Sequence, residues 1–304
     1  MPWGEILKKS WNYIRKYRFL WWLGILAALT EGGASFSNYS GGKWSTDVSQ
    51  KIGQAADSVS RWTVANIDFI VIALAALFVI GLIILYISYS ARAGLIYSVN
   101  SLESGEEKLT FSSAFAAGQK YFWRLLGLTL LIALLIFLTI AILIGLMIGF
   151  VLLTIVSLWF LIIVIPLGLI LILALVVFCF YLNLILLIGS RDLVIKNNGV
   201  VAAFKAGQKL IRHNFAQILL GWLINLGLNL AVGLALALAV VIIGGALALI
   251  AVGVYFAAKW TGVIIYAIPV GLALLAAILV ASGIINAYFS VFWTVVYRRL
   301  VESS

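Results

Sequence analysis

The sequence predicts an all-α fold, a polytopic transmembrane helical bundle of about six spans, and three observations carry that expectation. The composition is 65% hydrophobic and only 10% charged, against roughly 45–50% and about 25% in soluble globular domains. The few charges are clustered, so long stretches carry none. A short amphipathic element also recurs ahead of three apolar segments, which divides the single membrane domain 1–304 into repeats at about 1–99, 109–193 and 198–301.

Crossing a hydrocarbon core of roughly 30 Å takes about 20 predominantly apolar residues. The charge-free stretches are Phe19 to Thr30, Phe69 to Ala91, Leu125 to Ser190, Asn214 to Ala258 and Trp260 to Tyr297. The third is 66 residues long, and a single helix of that length would reach about 99 Å at about 1.5 Å per residue. It must therefore fold back as a hairpin, which makes six spans. The first stretch has only 12 residues. A basic lead before a short apolar run is also the layout of a secretory signal. The long basic lead, the bulky Trp21 and Trp22 and the repeat favour a span instead.

Placing the amino terminus inside puts 16 of the 20 basic residues on inner segments and leaves Lys43, Lys51, Arg61 and Lys259 outside. This asymmetry follows the positive-inside rule and predicts a multi-pass protein of the cell (inner or plasma) membrane with both termini cytoplasmic. Its formal net charge of +10 then faces the anionic leaflet, where each Lys or Arg is attracted by about 1 kcal/mol. The basic balance needs no nucleic acid as partner.

The repeat is clearest in Ala114-Phe115-Ala116-Ala117-Gly118-Gln119-Lys120 and Ala203-Phe204-Lys205-Ala206-Gly207-Gln208-Lys209, which are 89 residues apart. A fainter copy, Ser10-Trp11-Asn12-Tyr13-Ile14-Arg15, aligns with Gly207 to Arg212. Each copy carries an apolar stripe with a small residue third: Trp3, Leu7, Ser10, Ile14; Phe111, Phe115, Gly118, Phe122; Val200, Phe204, Gly207, Ile211. That is helical spacing. The opposite faces hold Lys8, Lys9 and Asn12, then Gln119 and Lys120, then Lys205, Gln208 and Lys209. A helix of this kind is expected to lie in the membrane interface. Lys8, Lys9, Arg15, Lys16, Arg18, Lys120, Arg124, Lys205, Lys209 and Arg212 are the expected contacts to the lipid surface.

The later halves repeat as well, with Ile165-Pro166-Leu167-Gly168-Leu169 matching Ile268-Pro269-Val270-Gly271-Leu272. Trp159 and Trp260 precede these prolines, and because tryptophan favours the interface, the outer turns are expected near Ser157 to Trp159 and Lys259 to Gly262. The prolines are expected to kink their helices. The third unit carries about 14 extra apolar residues, assigned to Gly244 to Ala258. They would lengthen a tilted helix, lie in the outer interface or re-enter the membrane, with Gly244-Gly245 as a break point. The extracytoplasmic loop 31–67 is the one long polar connection, and Val48 to Val64 within it has the spacing of a short amphipathic helix.

Ionisable residues inside a membrane are strong markers of function, and the apolar stretches hold none. The sole histidine, His213, sits at a basic helix start, and Cys179 is the only cysteine, so no catalytic, metal or cofactor site is expected. The polar intramembrane residues are Asn183, Asn225, Asn229 and Asn286, with Ser282, Ser290 and Thr294 beside them. A polar stripe lining a substrate path is one use of such residues. Hydrogen bonds between neighbouring helices are the commoner one.

An AFxAGQK-type element followed by a hairpin, used three times, resembles the polytopic membrane region attached to some bacterial glycerophosphodiester phosphodiesterases and its stand-alone relatives. In that family the phosphodiesterase chemistry belongs to a separate soluble metal-binding barrel. The resemblance therefore implies a membrane module without that activity. The expected function is that of a non-enzymatic membrane scaffold or lipid-interacting subunit, with membrane lipids and other membrane proteins as partners. The alternative is a small transporter or lipid-translocating protein, which the repeats and paired prolines favour.

Overall fold

The structure is a computed structural model that describes residues 1–29, 63, 66–106, 108–156 and 161–302. Among them no strand occurs. The helices are α1 (Trp3–Lys16), α2 (Phe19–Ala28), α3 (Ile67–Glu103), α4 (Phe111–Gln119), α5 (Phe122–Val156), α6 (Leu161–Ile195), α7 (Val200–His213) and α8 (Phe215–Glu302). Five are long and apolar enough to cross a membrane: Ile67–Glu103, Phe122–Val151, Ile162–Ile195, and the two arms of α8, Phe215–Phe256 and Lys259–Glu302. The chain is an all-α membrane protein. The segment expected as a first span is α2, whose 10 residues reach about 15 Å, half the hydrocarbon core.

The arms of α8 part at Lys259, whose φ of 55° and ψ of −153° are non-helical. A lysine at positive φ costs free energy, and here it turns the chain between two long helices. The Tyr266 hydroxyl donates to the Leu247 carbonyl at 3.2 Å across that turn. The expected break at Gly244-Gly245 does not occur, because the helix runs through both glycines. Opening it there would leave amides and carbonyls without partners in hydrocarbon. The extra residues of the third unit lengthen the first arm instead, giving 42 residues and about 63 Å. Helices α6 and α8 also continue through Pro166 and Pro269. The expected turn at Ser157 to Trp159 lies outside the described residues, as do nearly all of the 31–67 loop and the amphipathic helix expected at Val48 to Val64 within it.

The packed core gathers at one end. Buried residues of α3 run only from Ser88 to Leu102. Those of α5 are Phe122 to Ile132 at its start, those of α6 are mainly Leu182 to Val194 near its end, and those of α8 are Ile218, Gly221 and Gly283, with the rest from Ala287 to Leu300. The same end holds α1, α4 and α7 and most of the basic residues, so we call it the basic end. Beyond it the spans are apolar and exposed, as surfaces meant for lipid are. The most hydrophobic 18-residue windows of the five long helices are between 0% and 6% buried within the protein.

Small residues make the close packing possible. Helix α4 lies on the end of α3, where a Cβ at Gly118 would overlap the Ser90 carbonyl and come within 2.6 Å of the Gly94 nitrogen. Helix α7 lies likewise on the end of α6. A Cβ at Gly207 would stand 3.2 Å from the Ile185 carbonyl and 3.3 Å from the Gly189 nitrogen. The two contacts correspond residue for residue, since Ala114 approaches Gly94 as Ala203 approaches Gly189. Helix α1 instead rests on α8, with Trp3 and Phe292 ring centroids 6.4 Å apart and Trp11 and Tyr288 at 6.3 Å. Helix α2 wedges against the second arm of α8, where a Cβ at Gly24 would reach the Gly283 carbonyl and stand 2.8 Å from the Ala287 Cβ. The Ser88 hydroxyl ties α3 to the Ala27 carbonyl at 2.9 Å.

Gly118→Ala should therefore destabilise the detergent-solubilised protein by about 1–3 kcal/mol through overpacking against backbone. Gly207→Ala should cost less, because its neighbours need to give by only a few tenths of an ångström. Gly145→Ala, which meets open space, should be neutral or stabilising. A thermal unfolding series that fails to rank the three in this order contradicts the packing.

Candidate functional site

The basic end presents two features, a cationic surface and a half-open cavity. On the surface, Lys8, Arg15, Lys16, Arg18, Lys120, Lys205, Lys209 and Arg212 are exposed. Their helices turn the opposite faces inward, burying Ile6, Ser10 and Ile14 on α1, Ala114 and Gly118 on α4, and Ala203, Gly207 and Ile211 on α7. The side chains of Lys205, Gln208, Lys209, Arg212 and His213 surround a shallow depression of about 380 Å³. Two of the expected lipid contacts are committed within the bundle. Lys9 Nζ pairs with Glu103 Oε2 at 2.7 Å, and Arg124 donates to the Asn197 side chain at 2.6 Å and to its backbone carbonyl at 3.2 Å. Asn197 has a φ of 55°, a left-handed conformation that asparagine tolerates better than most residues, and Arg124 holds that turn in place.

Further contacts bind the ends of the spans together. The Arg298 guanidinium donates to the Asn100 carbonyl at 3.0 Å, which joins α8 to α3. Asp192, only 2% exposed, accepts from the Tyr297 hydroxyl at 2.7 Å and from Asn198 Nδ2 at 2.6 Å, with Lys196 Nζ at 3.4 Å. Burial and a hydrogen bond with Glu103 push the Tyr13 hydroxyl well above its usual range, so it stays neutral beside that carboxylate.

The cavity has a volume of about 1210 Å³ and is bounded by α2, α3, α5, α6 and both arms of α8. All four asparagines singled out in the spans, Asn183, Asn225, Asn229 and Asn286, line it, together with Ser282 and Ser290. Asn183 and Asn229 donate to carbonyls of their own helices, Cys179 at 2.9 Å and Asn225 at 2.8 Å. Neither of these bonds bridges helices, the commoner use expected of such residues. Ser290 is only 7% exposed, and its Oγ, like Asn225 Oδ1, has no hydrogen-bond partner among the described residues.

Two arginines complete the wall, Arg92 and Arg191, each immediately following an apolar stretch of the sequence. Helix α3 continues for 11 residues beyond Arg92, so this charge lies inside the helix. Arg191 is 7% exposed and donates to the Leu187 carbonyl and to Ser190 Oγ. The signal that would have found them is their small neighbours, Ala91 and Ala93 on one side and Gly189 and Ser190 on the other, which mark packed helix rather than loop. Among the described residues no Asp or Glu lines the cavity. Among the described residues no group of three or more His, Cys, Asp or Glu residues could hold a metal ion.

Residues 14–300 match a family of unknown function, DUF7544. The chain belongs to that family. No curated protein and no solved structure matches it. The matched region begins near the end of α1 and runs through the long helices and the cavity.

The Asp192 cluster gives a test of how the basic end is held. Tyr297→Phe removes a donor to a buried carboxylate and should lower stability by about 1.5–3 kcal/mol. Lys196→Gln breaks a half-exposed ion pair and should cost no more than about 1 kcal/mol. Equal losses in thermal unfolding of the two variants would show that the hydroxyl is not the main partner of Asp192.

Proposed function

We propose that the chain is a non-enzymatic integral membrane protein that acts as a membrane scaffold or lipid-interacting subunit. The observation that carries this reading is the exposed cationic surface of α1 and α7, joined by Lys120 just past the end of α4, at the end where the spans pack. Such a face is attracted to anionic headgroups, and the charge asymmetry puts that end, with both termini, on the cytoplasmic side of the cell membrane. On this reading the structural unit is an interfacial helix followed by a membrane hairpin, used three times. The matched packing of α4 on α3 and of α7 on α6 supports it. A unit of that kind resembles the membrane region attached to some glycerophosphodiester phosphodiesterases, without their soluble catalytic barrel. Other membrane proteins are further partners of a scaffold.

The cavity favours a second reading, a small transporter or lipid-translocating protein, because polar side chains on several helices converge on one space. Flux measurements separate the two. The scaffold reading expects no saturable solute or lipid flux in liposomes containing the purified protein, and saturable flux would replace it with the transporter.

The surface is tested by extracting the protein in native lipid discs and quantifying the lipids that come with it. Anionic lipids should be enriched over the bulk membrane, and the enrichment should fall in the Lys205→Gln, Lys209→Gln, Arg212→Gln triple variant. Lipid identical to bulk in both proteins would refute the surface role.

A further inference from the structure

We infer that the cationic stripe of α7, formed by Lys205, Lys209 and Arg212, is a binding site for a lipid whose headgroup carries two phosphates, as a diphosphatidylglycerol does. The inference rests on the lipid-interacting reading and deepens it, because it selects one class among the anionic lipids that a cationic surface attracts.

The first support is that these charges are uncommitted. Lys205, Lys209 and Arg212 are exposed, and among the described residues none of them has an ion pair or a side-chain hydrogen bond. No Asp or Glu occurs in α7. The other two basic helices differ from it. Helix α1 carries Glu5, gives Lys9 to Glu103 and sets Lys16 over the Tyr17 ring at 5.2 Å from its centroid. Helix α4 itself holds no charged residue.

The second is spacing. Lys205 and Lys209 are four residues apart and Lys209 and Arg212 three, about 6 Å and about 4.5 Å along the axis, so all three share one face. Like charges at these spacings repel, and nothing on α7 relieves them. A lipid with one phosphate brings one charge at a time, and its two acyl chains hold that phosphate away from the next in the leaflet. Two phosphates joined through one glycerol arrive as a pair, and once the first is bound the second binds as an intramolecular event. Arg212 adds a planar fork that matches phosphate oxygens, and Gln208 on the same depression adds a neutral donor.

The third is that the stripe is fixed in direction and adjoins apolar surface. Ala203, Gly207 and Ile211 are buried on the opposite side of α7, and Gly207 is seated against the Ile185 carbonyl and Gly189. The helix cannot turn about its axis without losing that contact. Phe215, two residues beyond His213, is exposed and opens the apolar surface of the first arm of α8, where acyl chains have a place to lie. The depression of about 380 Å³ is near the lower end of the roughly 300–1,000 Å³ of small-molecule pockets, enough for a headgroup and too little for its chains.

The test is a native mass spectrometry titration of the full-length protein in mixed micelles of neutral detergent and phosphatidylcholine, with diphosphatidylglycerol or phosphatidylglycerol added at matched total phosphate. Diphosphatidylglycerol should bind at least about tenfold more tightly and saturate at one molecule per chain. The Lys205→Gln, Lys209→Gln, Arg212→Gln variant should lose that preference. The Lys8→Gln, Arg15→Gln, Arg18→Gln variant removes the same number of charges from α1 and the turn after it, and should keep the preference. All six side chains are exposed, so both variants should unfold at the temperature of the parent, which thermal unfolding checks. Inorganic pyrophosphate, which carries two phosphates without acyl chains, should displace the lipid poorly. The inference is overturned if the two lipids bind alike, if both variants lose the preference equally, or if pyrophosphate displaces the lipid at equal concentration, which would make a soluble anion the occupant. Enrichment of anionic lipid in native discs without this preference would sink the headgroup site and leave the surface reading intact. The preference without such enrichment would support the site and refute the surface reading.

Discussion

Close approach of backbones at small residues is the constraint on which the arrangement depends. Inside a membrane the lipid tails are as apolar as leucine, so helices gain nothing simply by burying apolar surface against each other. They associate where van der Waals contact is dense, and that requires small side chains. Such residues meet in three contacts: Gly118 on Gly94, Gly207 on Gly189, Gly24 on Gly283. All three contacts are near the basic end. Most glycines farther out along the long helices, including Gly145, Gly149, Gly233, Gly244, Gly245, Gly253 and Gly271, meet no side-chain or backbone neighbour at all. The spans are therefore gripped at one end and left facing lipid beyond it, and the cavity lies where the gripped ends give way to the exposed ones.

Much of this was legible before any coordinates. Runs without charge identify the long helices, because a charge in hydrocarbon is costly and a helix in hydrocarbon satisfies its own backbone. The small residue in the middle of each amphipathic stripe points to Ser10, Gly118 and Gly207, and all three are buried. Their partners were not legible. Gly94 and Gly189 belong to the span that precedes each basic helix, and pairing them with Gly118 and Gly207 requires knowing that the chain turns back on itself. The glycine pair at Gly244 misled for a related reason: glycine permits a break, but only competing partners for the freed amides would make one favourable, and hydrocarbon offers none. The turn is found at Lys259, itself the charge that ends the apolar run.

The functional side chains divide in the same way. Asparagines stand out against an aliphatic background, so the four cavity asparagines could be found by eye. What they do could not, since the same residues serve as glue between helices or as the lining of a space, and only their partners tell these apart. The arginines were hidden by the rule that located the spans. A charge at the end of an apolar stretch reads as the place where the helix leaves the membrane. Yet α3 continues for 11 residues beyond Arg92, and the chain there is as well packed as anywhere in the protein.

The adjacent pair Arg191 and Asp192 shows how a membrane protein can keep a cation facing a half-open cavity. Consecutive residues on a helix are separated by about 100° around its axis, so two opposite charges side by side in sequence face different surroundings. Asp192 turns into the seam with the end of α8, where Tyr297, Asn198 and Lys196 meet its carboxylate. Arg191 turns toward the cavity, steadied by a carbonyl and a hydroxyl of its own helix. Each charge is thus held by partners on its own side of the helix, the carboxylate in the seam with the end of α8 and the guanidinium at the cavity wall.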